Sequence, residues 1–231
     1  MLTIRPSEER GHGNRGWLDS RFTFSFSGYH DPEHMGFRAL RVINEDHVAP
    51  GTGFGKHSHS DMEILTYVLE GAIQHEDSHG GKGLLVPGEL QYMSAGTGVA
   101  HSEFNPSADQ TLHFMQIWLL PNKLGIAPSY HQKRFAVQDG PNKIHPLASS
   151  DGRDGSFVIH SDGELLAAKL DGGGSVTHNF IHGHGWLQVV RGGVTANGIA
   201  LKHGDGLRIS DEVALKIDSA DGGEVLLFDL Q

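Results

Sequence analysis

The sequence contains no cysteine. Disulfides and thiolate ligands are excluded, so any bound metal must be held by imidazole and carboxylate groups. Basic residues are also scarce, with 18 Lys plus Arg against 28 Asp plus Glu and a formal charge of −10. A surface of that sign repels phosphate backbones and anionic lipid, which argues against direct nucleic-acid binding. No apolar run approaches the length of a membrane span, and the opening MLTIRPSEERGHG has no apolar stretch of the kind a secretory leader carries. The expectation is a soluble, cytoplasmic protein with no membrane contact. Long helical patterns are few, whereas 32 Gly fall between short apolar runs. That is the composition of an all-β protein rich in turns, and 231 residues suffice for one large or two small β domains.

Period-two alternation appears at Arg38–Ile43, Glu63–Leu69, Gln91–Ser94, Leu112–Leu119, Phe157–His160, Leu187–Val190 and Glu224–Phe228. Turn signals such as Pro87-Gly88 and Asn197-Gly198 separate them, a pattern of sandwiches and barrels. The proline-bearing stretch from Pro121 to Pro146 reads as a connection, with a boundary near Arg134 that divides the chain into residues 1–134 and 135–231. An internal repeat agrees. YVLEGAIQ at 67–74 resembles QVVRGGVT at 188–195, and PGELQYMS at 87–94 resembles HGDGLRIS at 203–210, in the same order. Two copies of one β-barrel unit are the simplest reading.

Two histidine-bearing pairs stand out, His57 with His59 and His101 with Glu103. In a strand, residues two apart share a face, so each pair presents both side chains to one side, and two such strands facing each other would close four ligands around one cation. Carried through the repeat, His57 falls on His178 and His59 on Phe180, while His101 falls on Ile217 and Glu103 on Ser219. The second copy has therefore lost most of the set. His182 and His184 lie among glycines with no matching pair, and read as a surface loop.

The spacings Gly51 to His57, Ser58, His59 and Glu63, and Gly98 to His101 and Asn105, resemble the two motifs of the cupin superfamily, small β-barrels that hold a metal in their mouth. Gly96 stands where the second motif usually has proline. With RGHGNRGWLDSRFTFSF at 10–26, HSHSDMEILTYVLEG at 57–71, SAGTGVAHSEFNPS at 94–107, LHFMQIWLLP at 112–121 and EVLLFDL at 224–230, the chain resembles the pirin family over nearly its whole length. Bacterial pirin-like proteins with quercetin 2,3-dioxygenase activity are the nearest group. The resemblance implies two tandem cupin barrels, a bicupin, with metal only in the N-terminal barrel, and it favours Glu103 over Glu63 as the ligand carboxylate.

Three imidazoles and one carboxylate suit Fe(II), which the resemblance favours, and equally Zn, Mn, Co, Ni or Cu. Four protein ligands would leave two positions on a six-coordinate metal, one for a flavonol or catechol-like oxygen and one for O2 or water. Glu103 is the only ligand able to take the flavonol 3-hydroxyl proton, which makes it the candidate general base. Glu63 reads either as a carboxylate orienting a ligand imidazole or as a surface charge. His75 and His113 read as ordinary strand histidines, and His12, His30, His34, His131 and His145 as loop residues. Phe22, Phe24 and Phe26 read first as a packed strand face, with Trp17 and these rings as a possible wall for an aromatic substrate. The expected function is metal-dependent dioxygenation of quercetin or a similar flavonol. The competing readings are a regulatory pirin that senses redox state for a protein partner, and a cupin using its metal only as a Lewis acid.

Overall fold

A computed structural model describes residues 1–231, almost all of it strand and turn, with two single-turn 3-10 segments at Ser7–Glu9 and Arg153–Gly155. Most of the alternating runs read from the sequence become central strands, several of them longer than the run, whereas Phe157–His160 is reduced to the two-residue edge strand Phe157–Val158. Arg38–Ile43 is observed as Leu40–Val48, Leu187–Val190 as His184–Ala196, and Leu112–Leu119 as expected.

Seven strands form one large sheet, in the order Ser129–Arg134, Glu89–Ser94, Glu63–Glu70, Leu112–Leu119, Leu40–Val48, Leu18–Phe22 and Gly11–Asn14. Four more form a facing sheet, in the order Gly53–His59, Val99–Phe104, Ile73–Asp77 and Lys82–Leu85. The second barrel is built around His184–Ala196 and Gly223–Leu230, with Gly163–Leu170 and Lys143–Ser149 extending its sheet. The all-β, two-barrel expectation holds.

The largest apolar cluster lies between the barrels, where Ile43, Tyr67, Met115 and Ile117 meet Leu165, Trp186, Val190 and Phe228. Each large sheet therefore has one face against the other barrel. The two interiors differ. A cluster that includes Leu166, Val189, Leu207, Leu215 and Ile217 fills the second barrel. Two smaller clusters, one around Val48, Val68 and Phe114 and one around Ile64 and Met93, leave the first barrel partly hollow.

Strand Ser129–Arg134 pairs with Glu89–Ser94, whereas Lys143–Ser149 pairs with Gly163–Leu170, so the pairing changes barrels between Arg134 and Lys143. We propose the division after Arg134 for the chain from Pro6 onward. The first strand, Leu2–Arg5, departs from it and pairs with Gly206–Ser210 of the second barrel. The HGH triplet also differs from its reading as a loop. His182 lies in a bend, but His184 begins a strand because both Gly206–Ser210 and Gly223–Leu230 extend far enough to pair with it.

Candidate metal centre and its cavity

Strands Gly53–His59 and Val99–Phe104 are antiparallel, with His57 opposite His101 and His59 opposite Val99. Between His101 and Glu103 the register slips by one residue, a bulge that re-aims the side chains on either side of it. The bulge draws the strands close at Gly53, where a Cβ would sit 2.3 Å from the Glu103 carbonyl oxygen. Only glycine fits there.

The pairing brings three imidazoles together. Ring centroids lie 4.4 Å apart for His57 and His101, 4.8 Å for His57 and His59, and 4.9 Å for His59 and His101. His57 Nδ1 donates to the Gly55 carbonyl at 2.8 Å, which leaves Nε2 as the lone-pair nitrogen, 3.0 Å from His101 Nε2. Burial, reinforced by His57 and His59, pushes the His101 imidazole down to about 2, and burial with the His57 charge takes His59 to about 4. Those two rings, His59 and His101, are held neutral, the state a metal requires.

Glu103 is buried, and one carboxylate oxygen accepts from Gln116 Nε2 at 3.2 Å. Its other oxygen, Oε1, is buried with no partner. Burial raises the Glu103 carboxyl to about 7, against the Gln116 hydrogen bond and with help from the Asp46 charge. Gln116 is itself held, since Thr66 Oγ1 donates to its Oε1 at 2.7 Å.

Candidate ligand atoms form two overlapping trios, His57–His59–His101 and His75–His101–Glu103, each within 4.8 Å. From the sequence alone His75 reads as an ordinary strand residue. It is buried, pairs in register with Glu103, stacks on Tyr130 with centroids 4.6 Å apart, and places Nδ1 3.4 Å from His101 Nδ1. Its period-two relation to Asp77, whose Oδ2 lies 3.2 Å from His75 Nε2, was the available signal. Glu63 takes neither role expected of it. Fully buried, it accepts from Tyr92 Oη at 2.6 Å and from the His160 backbone N–H at 2.9 Å, tying the first barrel to the segment entering the second. His178 pairs with Asp229 at 3.0 Å in the second barrel.

A cavity of about 700 Å³ opens beside these residues. His57, His59 and Glu103 line one side of it. The other side is one face of the seven-stranded sheet, reached by strict alternation: Ser20 and Phe22, Asn44 and Asp46, then Phe114, Gln116 and Trp118. Phe22, Phe24 and Phe26 divide. Phe22 and Phe26 line the cavity, whereas Phe24 packs on Trp186 between the barrels with centroids 4.8 Å apart. Trp17 lines the cavity as well.

A family model described as Pirin matches residues 3–119. The chain belongs to the pirin family. A second model, described as Quercetinase C-terminal cupin domain, matches residues 146–230. Among curated relatives, the pirin chain is 51% identical to quercetin 2,3-dioxygenase of Escherichia coli K12, covering 100% of this chain and 99% of that one. It is 41% identical to a pirin-like protein of Caulobacter vibrioides, covering 99% of each. Among solved structures, the bacterial pirin YhhW of E. coli in complex with nickel(II) superposes with a TM-score of 0.94 at 50% identity, covering 100% of this chain and 99% of that one. The donor set here fits a single divalent metal, because three imidazoles converge and Glu103, grouped with one of them, His101, keeps an unpartnered buried oxygen. No helix is long and apolar enough to cross a membrane.

Proposed function

We propose that this pirin is a cytoplasmic, metal-dependent dioxygenase that opens the central ring of quercetin or a related flavonol with O2 and releases carbon monoxide. The supporting observation is the shared cavity, in which imidazoles and a carboxylate face aromatic side chains across a space of about 700 Å³. His57, His59, His101 and Glu103 would hold the metal, with Fe(II) favoured and Ni supported by the nickel(II) complex of the E. coli pirin. When bound, such a metal supplies a Lewis-acidic, redox-active centre for the flavonol oxygen and O2.

The remaining work falls to side chains. Trp17, Phe22, Phe26 and Trp118 offer rings against which a planar flavonol stacks. Their bulk excludes water, which keeps the electron-rich enolate from being reprotonated by solvent. Glu103 accepts the 3-hydroxyl proton. Gln116 keeps the carboxylate aimed, and burial beside the aromatic wall keeps competing water from it. In the balanced reaction both oxygen atoms of O2 enter the ring-opened ester, and the carbon that bore the 3-hydroxyl leaves as carbon monoxide.

The test is oxygen uptake with quercetin by protein loaded anaerobically with Fe(II), Ni(II) or another divalent ion, together with carbon monoxide detection. Turnover is expected with at least one metal, and Glu103→Gln should lower kcat by about 100-fold or more. No oxygen uptake with any of these metals would overturn the dioxygenase reading in favour of a regulatory role with a protein partner.

A further inference from the structure

Of the proposed metal ligands, His57, His59 and Glu103 lie on one wall of the cavity. The opposite wall carries a separate polar group that the reaction above does not use. Asn44 and Asp46 lie two residues apart on strand Leu40–Val48, point into the cavity, and are 3% and 5% exposed. Asn44 Oδ1 is fully buried and has no hydrogen-bond partner. Leaving such an acceptor unpaired is costly, and the cost is recovered when a donor arrives. Asp46 has Ser20 as its hydrogen-bonding neighbour and Phe114 on the paired strand, with no cation in contact with its carboxylate.

The placement relative to the metal ligands is set by register. Gln116, which donates to Glu103, is the direct partner of Asn44 across the ladder, about 5 Å away between Cα atoms. Asp46 lies about 7 Å further along the strand. A planar ligand with one oxygen beside Glu103 would therefore lay its far end over these two acceptors. Phe22, the ladder partner of Asn44, and Phe114, that of Asp46, supply flanking rings.

We propose that Asn44 and Asp46 form a second subsite, selective for ligands that carry a hydroxyl donor on the aromatic ring remote from the metal ligands. This rests on the dioxygenase reading for the identity of the ligand, and it narrows the substrate class to flavonols hydroxylated beyond the 3-position. Two acceptors side by side are matched by a hydroxyl or a vicinal pair of hydroxyls. They are mismatched to a carboxylate or sulfate at the same position, which Asp46 repels.

The test is equilibrium binding by quenching of tryptophan fluorescence, since Trp17 and Trp118 both line the cavity. Quercetin is compared with 3-hydroxyflavone, which has no hydroxyl other than the one at the 3-position. The wild-type protein should bind quercetin roughly 10- to 100-fold more tightly, the range of one or two hydrogen bonds to a buried acceptor. In Asp46→Leu and in Asn44→Leu, each of which removes one acceptor at similar bulk, that ratio should collapse toward unity. A wild-type ratio near one, or a ratio unchanged in both variants, overturns the subsite. Oxygen uptake measured on the same samples separates the two ideas. Turnover with an unchanged ratio refutes the subsite alone, whereas a collapsing ratio without turnover by any metal-loaded form refutes the dioxygenase reading alone.

Discussion

Removal of Glu45 should destabilise the protein more than almost any other single polar substitution. Its carboxylate sits between the barrels with a side chain 4% exposed, beside Arg10 at 1%. Arg10 Nη1 donates to Glu45 Oε2 at 2.8 Å, and His113 Nε2 and His203 Nε2 lie 2.9 and 2.8 Å from Oε1. Arg10 also donates to the Gly204 carbonyl, so the cluster bridges both barrels. In Glu45→Ala the guanidinium stays buried and loses its counter-charge, a change that costs about 3–5 kcal/mol. For a protein of this size that is a fall of about 6–20 °C in Tm. Urea unfolding at neutral pH should show a lower midpoint with an unchanged slope. Glu70→Ala is the control, because its pair with Arg191 at 3.3 Å is exposed, at 63% and 40%, and should be worth less than about 1 kcal/mol. Replacing both partners with apolar residues, Arg10→Met with Glu45→Leu, should recover most of the loss. A Glu45→Ala loss no larger than the control would refute the claim that this pair is held out of water.

Two further outcomes follow from neighbouring groups. The hydrogen bond to Glu45 raises the His203 imidazole above its ordinary 6.5, against partial burial, so its stabilising contribution is complete below that value and fades as pH rises through the raised one. The difference in urea midpoint between wild type and His203→Gln should therefore shrink from acidic to alkaline pH, and a difference that grows would contradict the sign. Gln116→Leu deprives Glu103 Oε2 of its donor and should weaken metal binding about 10- to 100-fold in a chelator competition; an unchanged affinity would remove Gln116 from the support of the site.

Much of this arrangement was legible because it depends on alternation. Counting in twos paired His57 with His59 and His101 with Glu103, and the strands that carry them are neighbours, although a bulge between His101 and Glu103 lies outside what alternation can foresee. The decay of the repeat at Phe180, Ile217 and Ser219 pointed only to a lost ligand set, and that apolar side chains fill the second barrel came from the structure. What escaped depends on which strand pairs with which. Leu2–Arg5 is too short to declare its partner, and it lies against Gly206–Ser210, about 200 residues away in sequence. Glu63 reads either as support for a ligand imidazole or as a surface charge until Tyr92 and His160 are brought to it. His75 looks like any polar residue on an edge of alternation until the ladder sets it opposite Glu103. Phe24 and its neighbours share a pattern but not a fate, because regular strand ends at Phe22 and the period-two rule ends with it.

Strand Leu40–Val48 explains how the second barrel contributes to the site. Its alternation sends Asn44 and Asp46 into the cavity and Ile43 and Glu45 toward the second barrel. A slip of one residue would exchange the two sets, putting Glu45 in the cavity and Asn44 against apolar side chains. The cavity face cannot specify the register strongly, since it is hollow and partly polar. The other face can, because Ile43 packs in the shared core and Glu45 is fixed by Arg10 from its own half and by His203 from the other. Strand Leu112–Leu119 follows the same logic, with Met115 and Ile117 in the shared core while Phe114, Gln116 and Trp118 face the cavity. The second barrel thus holds the cavity wall in register from behind, a role that requires a filled interior and no metal ligand of its own.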